Sequence, residues 1–424
     1  MPIKTLHITN SYHASSGGIR TTYQALLRAA NQHRRPVRLV VPGEQCSVEE
    51  VGEFGRVYTV RAARLPIGDP RYRTLLPSYL WRRVHPLWSI LRDEKPDLIE
   101  VADKLCLPYL GGLFRKGWVQ SIPRPTLVGF SSERLDDTLS SYLSSHPLLR
   151  GFARWYLGCV YLPQFDVHLA NSIYTAGELT EARRLHHHRD VLTVPMGVDC
   201  DLFHPARKSA AVRRLLLERV KAGEDAVLLL FAGRLAPEKN LELLLETVKR
   251  LRGDTARDYR LLIAGEGPLR SRLQAESERL MPGRVCFLGH LGSRERLAEV
   301  VANCDVFVHP NPREPFGIAP LEAMASGLPL VAPKSGGVTS YANLRNAWLA
   351  DPHGSSFAYA IRSALADCRL LSEKTIAARE TAVAHSWEHI TSRLFRLYDQ
   401  LHHRRTVRVA ATQNSNSNPR PLPA

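Results

Sequence analysis

The 424-residue chain predicts an α/β protein built from two parallel sheets, one in each half. Three observations carry that expectation. Short β-rich runs alternate with helical stretches of ~10–15 residues, and the alternation stops and restarts midway along the chain. The length exceeds the ~100–200 residues of one domain. Several glycine-bearing turns follow a strand and open a helix, where parallel sheets bind ligands.

In the first half the strands read as Thr5–Thr9, Val37–Val41, Asp97–Val101, Thr126–Phe130 and Asp166–Ala170, with an amphipathic helix at Thr21–Asn31. The second half restarts with strand Ala226–Phe231, helix Leu241–Leu251, strand Arg260–Ala264 and helix Leu269–Leu280. Strand Val285–Leu288, helix Arg294–Ala302, strand Val306–His309, a helix around Pro320–Ala325 and strand Leu328–Ala332 follow. The polar connector Pro205–Asp225 divides the chain into an expected first domain, 1–204, and an expected second domain, 205–385. Trp387, Ile390, Leu394, Leu397 and Leu401 recur at helical spacing, so residues 386–402 suit a last helix crossing back to the first domain. Residues 403–424 read as a disordered tail, because Gln413–Pro419 has nothing to bury.

Lys plus Arg number 57 against 41 Asp plus Glu, a net charge of +16. That charge suits a protein handling anions, and leaves nucleic acid, phosphorylated small molecules and an anionic membrane surface open. No apolar run reaches the ~18–20 residues of a spanning helix. The N-terminal run enters a strand at once, without the pattern of a secretory signal. Seven scattered cysteines without a Cys-x-x-Cys pair suit buried thiols in a reducing cytoplasm.

Four segments carry chemistry. Gly17 and Gly18, after the first strand, let backbone approach a ligand while the next helix offers free N–H groups, although a flexible turn fits as well. Gly233-Arg234-Leu235-Ala236-Pro237-Glu238-Lys239-Asn240 sets a guanidinium and an ammonium at a strand end, equipment for holding a diphosphate without a metal. Gly265-Glu266-Gly267-Pro268 repeats the strand–glycine–helix arrangement, where a tight turn is as good a reading as ligand contact. In His309–Gly327, Glu314 sits in a Pro-rich loop and Glu322 on the following helix, with the Phe316, Gly317 and Ile318 amides between them. Two carboxylates at different depths and a helix N-terminus suit a nucleotide sugar, while Glu322 also suits a helix-dipole charge.

With these segments the chain resembles the retaining glycosyltransferases of family four (glycosyl transferases group 1). The resemblance rests on Gly-Arg-Leu-x-x-Glu-Lys-Asn at 233–240, Gly-x-Gly-Pro-Leu-Arg at 265–270 and Glu-x7-Glu at 314–322. Ala170-Asn171-Ser172-x-Tyr174-Thr175 and Pro195-x-Gly197-Val198-Asp199 also match, and together they reach to about residue 400. It implies a GT-B fold, two Rossmann-like doubly wound domains facing across a cleft, and a hexose moved from a GDP-mannose or UDP-glucose type donor. The implied acceptor is a saccharide, a lipid-linked glycan or a small polar molecule. By the same resemblance Arg234 and Lys239 grip the diphosphate, Glu322 takes the ribose and Glu314 the sugar hydroxyls. The Phe316–Ile318 backbone touches sugar or phosphate, Gly265 and Gly267 lie on the donor side, and Gly17 and Gly18 approach from the other domain. The departing phosphate deprotonates the acceptor, and no cofactor or metal takes part.

Serine, Ser132, stands where many relatives have a histidine near the reacting sugar. Either Ser132 substitutes for it, or the chain is a non-catalytic binder of sugar nucleotides or glycans. The stretch after Gly336-Gly337 also lacks an acidic residue common in relatives. Asp199-Cys200-Asp201 spells a metal motif within an interdomain stretch, and His186-His187-His188 reads as a solvated basic patch rather than a ligand set. The aromatic and basic run Arg71–Arg83 is the candidate for an anionic membrane or a phosphorylated acceptor, although a solvated helix with aromatic core contacts fits as well. The carboxylate pair argues against nucleic acid.

Overall fold

Strands Thr5–Thr9, Leu98–Ala102 and Thr126–Ser131 are buried along their whole length, as strands covered by helices on both faces must be. The computed structural model describes every residue except 1, 14–16, 65–72, 83, 121, 143–146, 184–189 and 417–424. The first sheet has eight strands in the order Asp190–Thr193, Val167–Ala170, Thr126–Ser131, Leu98–Ala102, Thr5–Thr9, Val37–Gly43, Gly55–Arg61, Ser47–Val51. All neighbours are parallel except the last pair. The second sheet has six parallel strands in the order Val285–Gly289, Tyr259–Ala264, Val227–Ala232, Val306–Val308, Leu330–Pro333, Trp348–Ala350.

Side-chain alternation fixes how the second sheet is covered. Leu228 and Leu230 share a core with Val301 of helix Arg294–Ala302 and Leu321 of helix Ile318–Ala325. Val227, Leu229 and Phe231 face Leu244, Leu245 and Val248 of helix Glu242–Leu251. Each of these buried aliphatic side chains contributes about 1.5–3 kcal/mol of transfer free energy. The chain order reverses between Thr5–Thr9 and Leu98–Ala102 in one sheet, and between Val227–Ala232 and Val306–Val308 in the other. Such switch points open a crevice beyond the carboxyl ends of the strands. Two doubly wound domains facing across a cleft, the expected GT-B architecture, are therefore what the chain forms.

Four strands of the two large sheets escaped the sequence reading, as did the short pair Ala63–Arg64 and Arg73–Thr74. Ser47–Val51 is an exposed edge, Gly55–Arg61 carries outward arginines, Asp190–Thr193 is half exposed and Trp348–Ala350 has only three residues. None offers an apolar run. The expected disordered tail is corrected over part of its length, because one helix runs from Trp387 to Asn416. Phe395, Tyr398 and Leu401 anchor it against Tyr23, Leu26 and Leu39 of the first domain, and an anchored helix extends at little cost per residue. The Tyr398 hydroxyl donates to Glu100 Oε2 at 2.5 Å.

The two crossings between domains run side by side. Val198 N donates to His385 O at 2.9 Å and Trp387 N to Val198 O at 3.1 Å. The thiols depart from expectation, since only Cys304 is buried while Cys46 and Cys368 are exposed; all seven are free. Among the described residues no helix is long and apolar enough to cross a membrane. His186–His188, Arg71, Tyr72 and Arg83 lie outside the described residues.

Candidate active site

Both switch points open into one cavity of about 770 Å³. Of the residues singled out from sequence, Gly17, Gly18, Ser132, Arg234, Lys239, Glu314, Phe316, Gly317, Ile318 and Glu322 line it.

The turn after Val227–Ala232 places the two cations. Leu235 is fully buried and its N–H donates to Glu266 O at 2.9 Å, so Arg234, the preceding residue, is directed to the cleft. Arg234 Nη2 donates to Glu238 Oε1 at 3.1 Å. Lys239 ends a short 3-10 turn, Pro237–Lys239, and its Nζ donates to Glu314 Oε2 at 2.8 Å and Oε1 at 3.0 Å. Asn240, with a left-handed φ of 53°, donates from Nδ2 to Pro310 O at 3.0 Å. The two strand-end loops are thereby tied together.

Glu314 is nearly enclosed. Burial pushes its carboxyl up, but Lys239, His309 and the Asn311 amide overcome this and hold it at about 2. Asn311 Nδ2 donates at 3.1 Å. His309 Nε2 lies 3.7 Å away; burial drives that imidazole down to about 4, with Glu314 opposing and Lys239 reinforcing the shift. An ionised carboxylate beside a neutral imidazole is thus the resting state. The Gly336-Gly337 turn braces this loop, with Gly337 N donating to Glu314 O at 2.6 Å.

Gly317 caps helix Ile318–Ala325 at a φ of +89°, a conformation that favours glycine. The Phe316 ring packs against Tyr341 with centroids 5.1 Å apart. Glu322 is buried on this helix; burial raises its pKa, Arg294 opposes and Asp199 adds to the rise. Arg294 Nη2 donates to Glu322 Oε1 at 2.8 Å, and its Nη1 reaches Thr21 Oγ1 of the first domain at 3.4 Å.

Helix Gly18–Gln32 starts directly opposite. A Cβ on Gly18 would lie 3.2 Å from Ile318 Cδ1, so two helix N-termini face one cleft from the two domains. Such termini bind anions without further help. Ile173 N donates to Ser340 Oγ at 3.2 Å across the same boundary.

Gly265 and Gly267 are not among the lining residues. A Cβ on Gly265 would sit 1.9 Å from Gly233 O, and one on Gly267 2.3 Å from Leu235 O. These glycines let two strand-end segments pack closely beside Arg234. Sequence reading missed Arg294, whose only signal was a helix start, and gave no role to His309 or Asn311 although both flank the Glu314 loop. It also passed over Glu133 and Asp137, which line the first-domain wall.

Residues 213–381 match the family model described as glycosyl transferases group 1. A GDP-mannose-dependent alpha-mannosyltransferase of Mycolicibacterium smegmatis is 30% identical over 380 residues, 87% of this chain and 89% of the relative. A GDP-mannose-dependent alpha-(1-6)-phosphatidylinositol dimannoside mannosyltransferase of Mycobacterium tuberculosis is 28% identical over 91% of this chain and 93% of its own. Among solved structures, sucrose-phosphate synthase of Thermosynechococcus elongatus superposes with a TM-score of 0.75 at 21% identity, over 94% of this chain and 99% of that one. The fold, the cleft motifs and the full-length relatives lead to one conclusion: the chain belongs to the group 1 glycosyltransferases and is an enzyme of that family.

Proposed function

We propose that this enzyme moves a mannosyl residue from GDP-mannose to a hydroxyl of a glycan, lipid-linked saccharide or small polar acceptor, with retention at the anomeric carbon. The observation that carries the reading is the convergence of Arg234, Lys239, Glu314 and Glu322 on one cavity between two helix N-termini. The names of the relatives favour the guanine nucleotide and mannose.

In this reading Arg234 and Lys239 hold the diphosphate, with the Phe316–Ile318 amides and the Gly17-Gly18 turn closing on it from either side. Glu322 takes the ribose hydroxyls and Glu314 those of the mannose. The bond from the anomeric carbon to the phosphate oxygen breaks and its electron pair stays on the diphosphate. The acceptor oxygen bonds to the same face of the anomeric carbon, and its proton passes to the departing phosphate oxygen. Preorganised cations and helix dipoles stabilise the charge that develops there, and one such donor is commonly worth ~10²–10³-fold in rate. Ser132, in the cleft wall, offers a hydroxyl near the reacting sugar.

Peripheral contact with an anionic membrane belongs to this reading. Trp81 is 63% exposed with its ring 6.0 Å from that of Trp118, and Lys116 Nζ lies 5.0 Å from the Trp118 ring. Exposed indoles beside cations suit a headgroup region.

A thermal-shift panel of GDP, UDP and their sugars, followed by NMR of the product, tests the proposal. A ligand at a hundredfold excess over its Kd stabilises by about 2.7 kcal/mol. GDP and GDP-mannose are expected to raise the melting point and the product to be the α-mannoside. Stabilisation by UDP alone, or a β product, refutes the reading.

A further inference from the structure

Resting on the glycosyl-transfer reading, we infer that Glu133 selects an acceptor that is uncharged and hydroxyl-rich beside the accepting oxygen, and disfavours one carrying a phosphate there. The acceptor has to approach along the first-domain wall, because the second domain supplies the residues assigned to the donor. That wall holds the neutral hydrogen-bonding side chains of Asn10, Thr74, Ser132 and Asn171 together with the charged Glu133, Arg134 and Asp137.

The charges on this wall are not equivalent. Arg134 is fully engaged: its Nε and Nη2 reach the two Asp136 carboxylate oxygens at 2.9 and 2.6 Å. Its Nη1 donates to Tyr174 O at 3.2 Å, and the guanidinium lies 4.6 Å from the Tyr174 ring centroid. Asp137 accepts from the Tyr174 hydroxyl at 2.5 Å and lies 3.9 Å from Arg313 Nη1 of the second domain. Lys104, behind the loop, is buried with its Nζ 2.7 Å from Glu178 Oε2.

Glu133 differs from all of these. Its carbonyl is pinned by Lys104 Nζ and by Ser131 Oγ, so the backbone is fixed. Its carboxylate is exposed to the cleft and makes no hydrogen bond or ion pair among the described residues. Burial raises its pKa against the pull of Lys104, and Asp103, Glu178 and Glu238 of the facing domain add to the rise. A held carboxylate accepts hydrogen bonds from sugar hydroxyls with both oxygens. The same unpaired charge repels a phosphate, a discrimination by mismatch as well as by fit.

The test uses the full chain, GDP-mannose and two acceptors that keep the same four free hydroxyls, methyl α-mannoside and α-mannose 1-phosphate, with kcat and KM read separately by GDP release and product mass. The neutral acceptor is expected to have at least a tenfold higher kcat/KM. Glu133→Gln is expected to raise the KM of the neutral acceptor severalfold with a smaller change in kcat. Glu133→Lys is expected to shift the neutral-to-phosphorylated ratio at least tenfold toward the phosphorylated acceptor. A merely structural role would not move that ratio. Equal or better use of α-mannose 1-phosphate by the wild type, or an unchanged ratio in Glu133→Lys, overturns the inference. Failure of the donor reading has a separate signature: no thermal shift from GDP and no turnover of GDP-mannose with either acceptor, which rejects both proposals together.

Discussion

The neutral His309 beneath Glu314 makes acid stability a direct test of the site's electrostatics. Its pKa is held at about 4 in the fold, against about 6.5 in an unfolded chain. Between those values the unfolded chain binds more protons, so stability falls as pH drops from 6.5 toward 4 and is undiminished by this group above 6.5. The full shift is worth about 3 kcal/mol. One pH unit below 6.5 the loss is RT ln(1 + 10), about 1.4 kcal/mol. Glu314, held at about 2, has its own window lower down, because a depressed carboxylate loses its stabilisation only as pH falls below the ordinary carboxylate range. The share of this imidazole near pH 5.5 is read from the difference between wild type and a variant lacking it, because the Glu322 and Glu133 carboxyls, raised by burial, and His85, lowered by it, also contribute to the pH dependence. Urea denaturation of wild type and of the non-titrating variant His309→Gln near pH 7.5 and pH 5.5 supplies the difference. The variant should lose about 1.4 kcal/mol less than the wild type between the two. Equal losses, within a few tenths of a kcal/mol, would refute the buried neutral imidazole.

Three further outcomes follow from the geometry. Arg234→Met and Lys239→Met should each lower kcat by ~10²–10³-fold while the protein still melts cooperatively; wild-type turnover in either would remove the diphosphate clamp from the mechanism. Gly265→Ala should destabilise by ~1–3 kcal/mol, because its Cβ would lie 1.9 Å from Gly233 O, and an unchanged melting temperature would contradict that packing. Tyr398→Phe strips a buried donor from Glu100 Oε2 and should lower stability by ~1–3 kcal/mol with kcat unaltered; a melt indistinguishable from wild type would mean that the last helix is not latched through this bond.

Much of the site was legible because short segments carry it. Arg234 and Lys239 lie within one turn of chain, and Glu314 and Glu322 are eight residues apart, so strand-end position and spacing suffice to nominate them. Gly265 and Gly267 show what local spacing leaves open. Their spacing is equally suggestive, yet the space they vacate is filled by the Gly233–Leu235 backbone, and only packing can show that. Arg294 lies far in sequence from both Glu322 and Thr21, which it bridges, and nothing local marks it. The edge strands were missed for a related reason: Ser47–Val51 is stabilised by pairing with Gly55–Arg61 and not by burial.

Two doubly wound halves and the strand-end loops that line the cleft were readable from the chain alone, because hydrophobic period and strand-end chemistry are local properties. Tertiary structure alone decided which charges are satisfied. The Arg134 guanidinium is enclosed by Asp136 and Tyr174, Lys239 is paired with Glu314, and Glu133 lines the cleft without a side-chain partner among the described residues. Ionisation and hydrogen-bond partnership depend on groups brought together from distant positions by folding, and only the packed chain sets them.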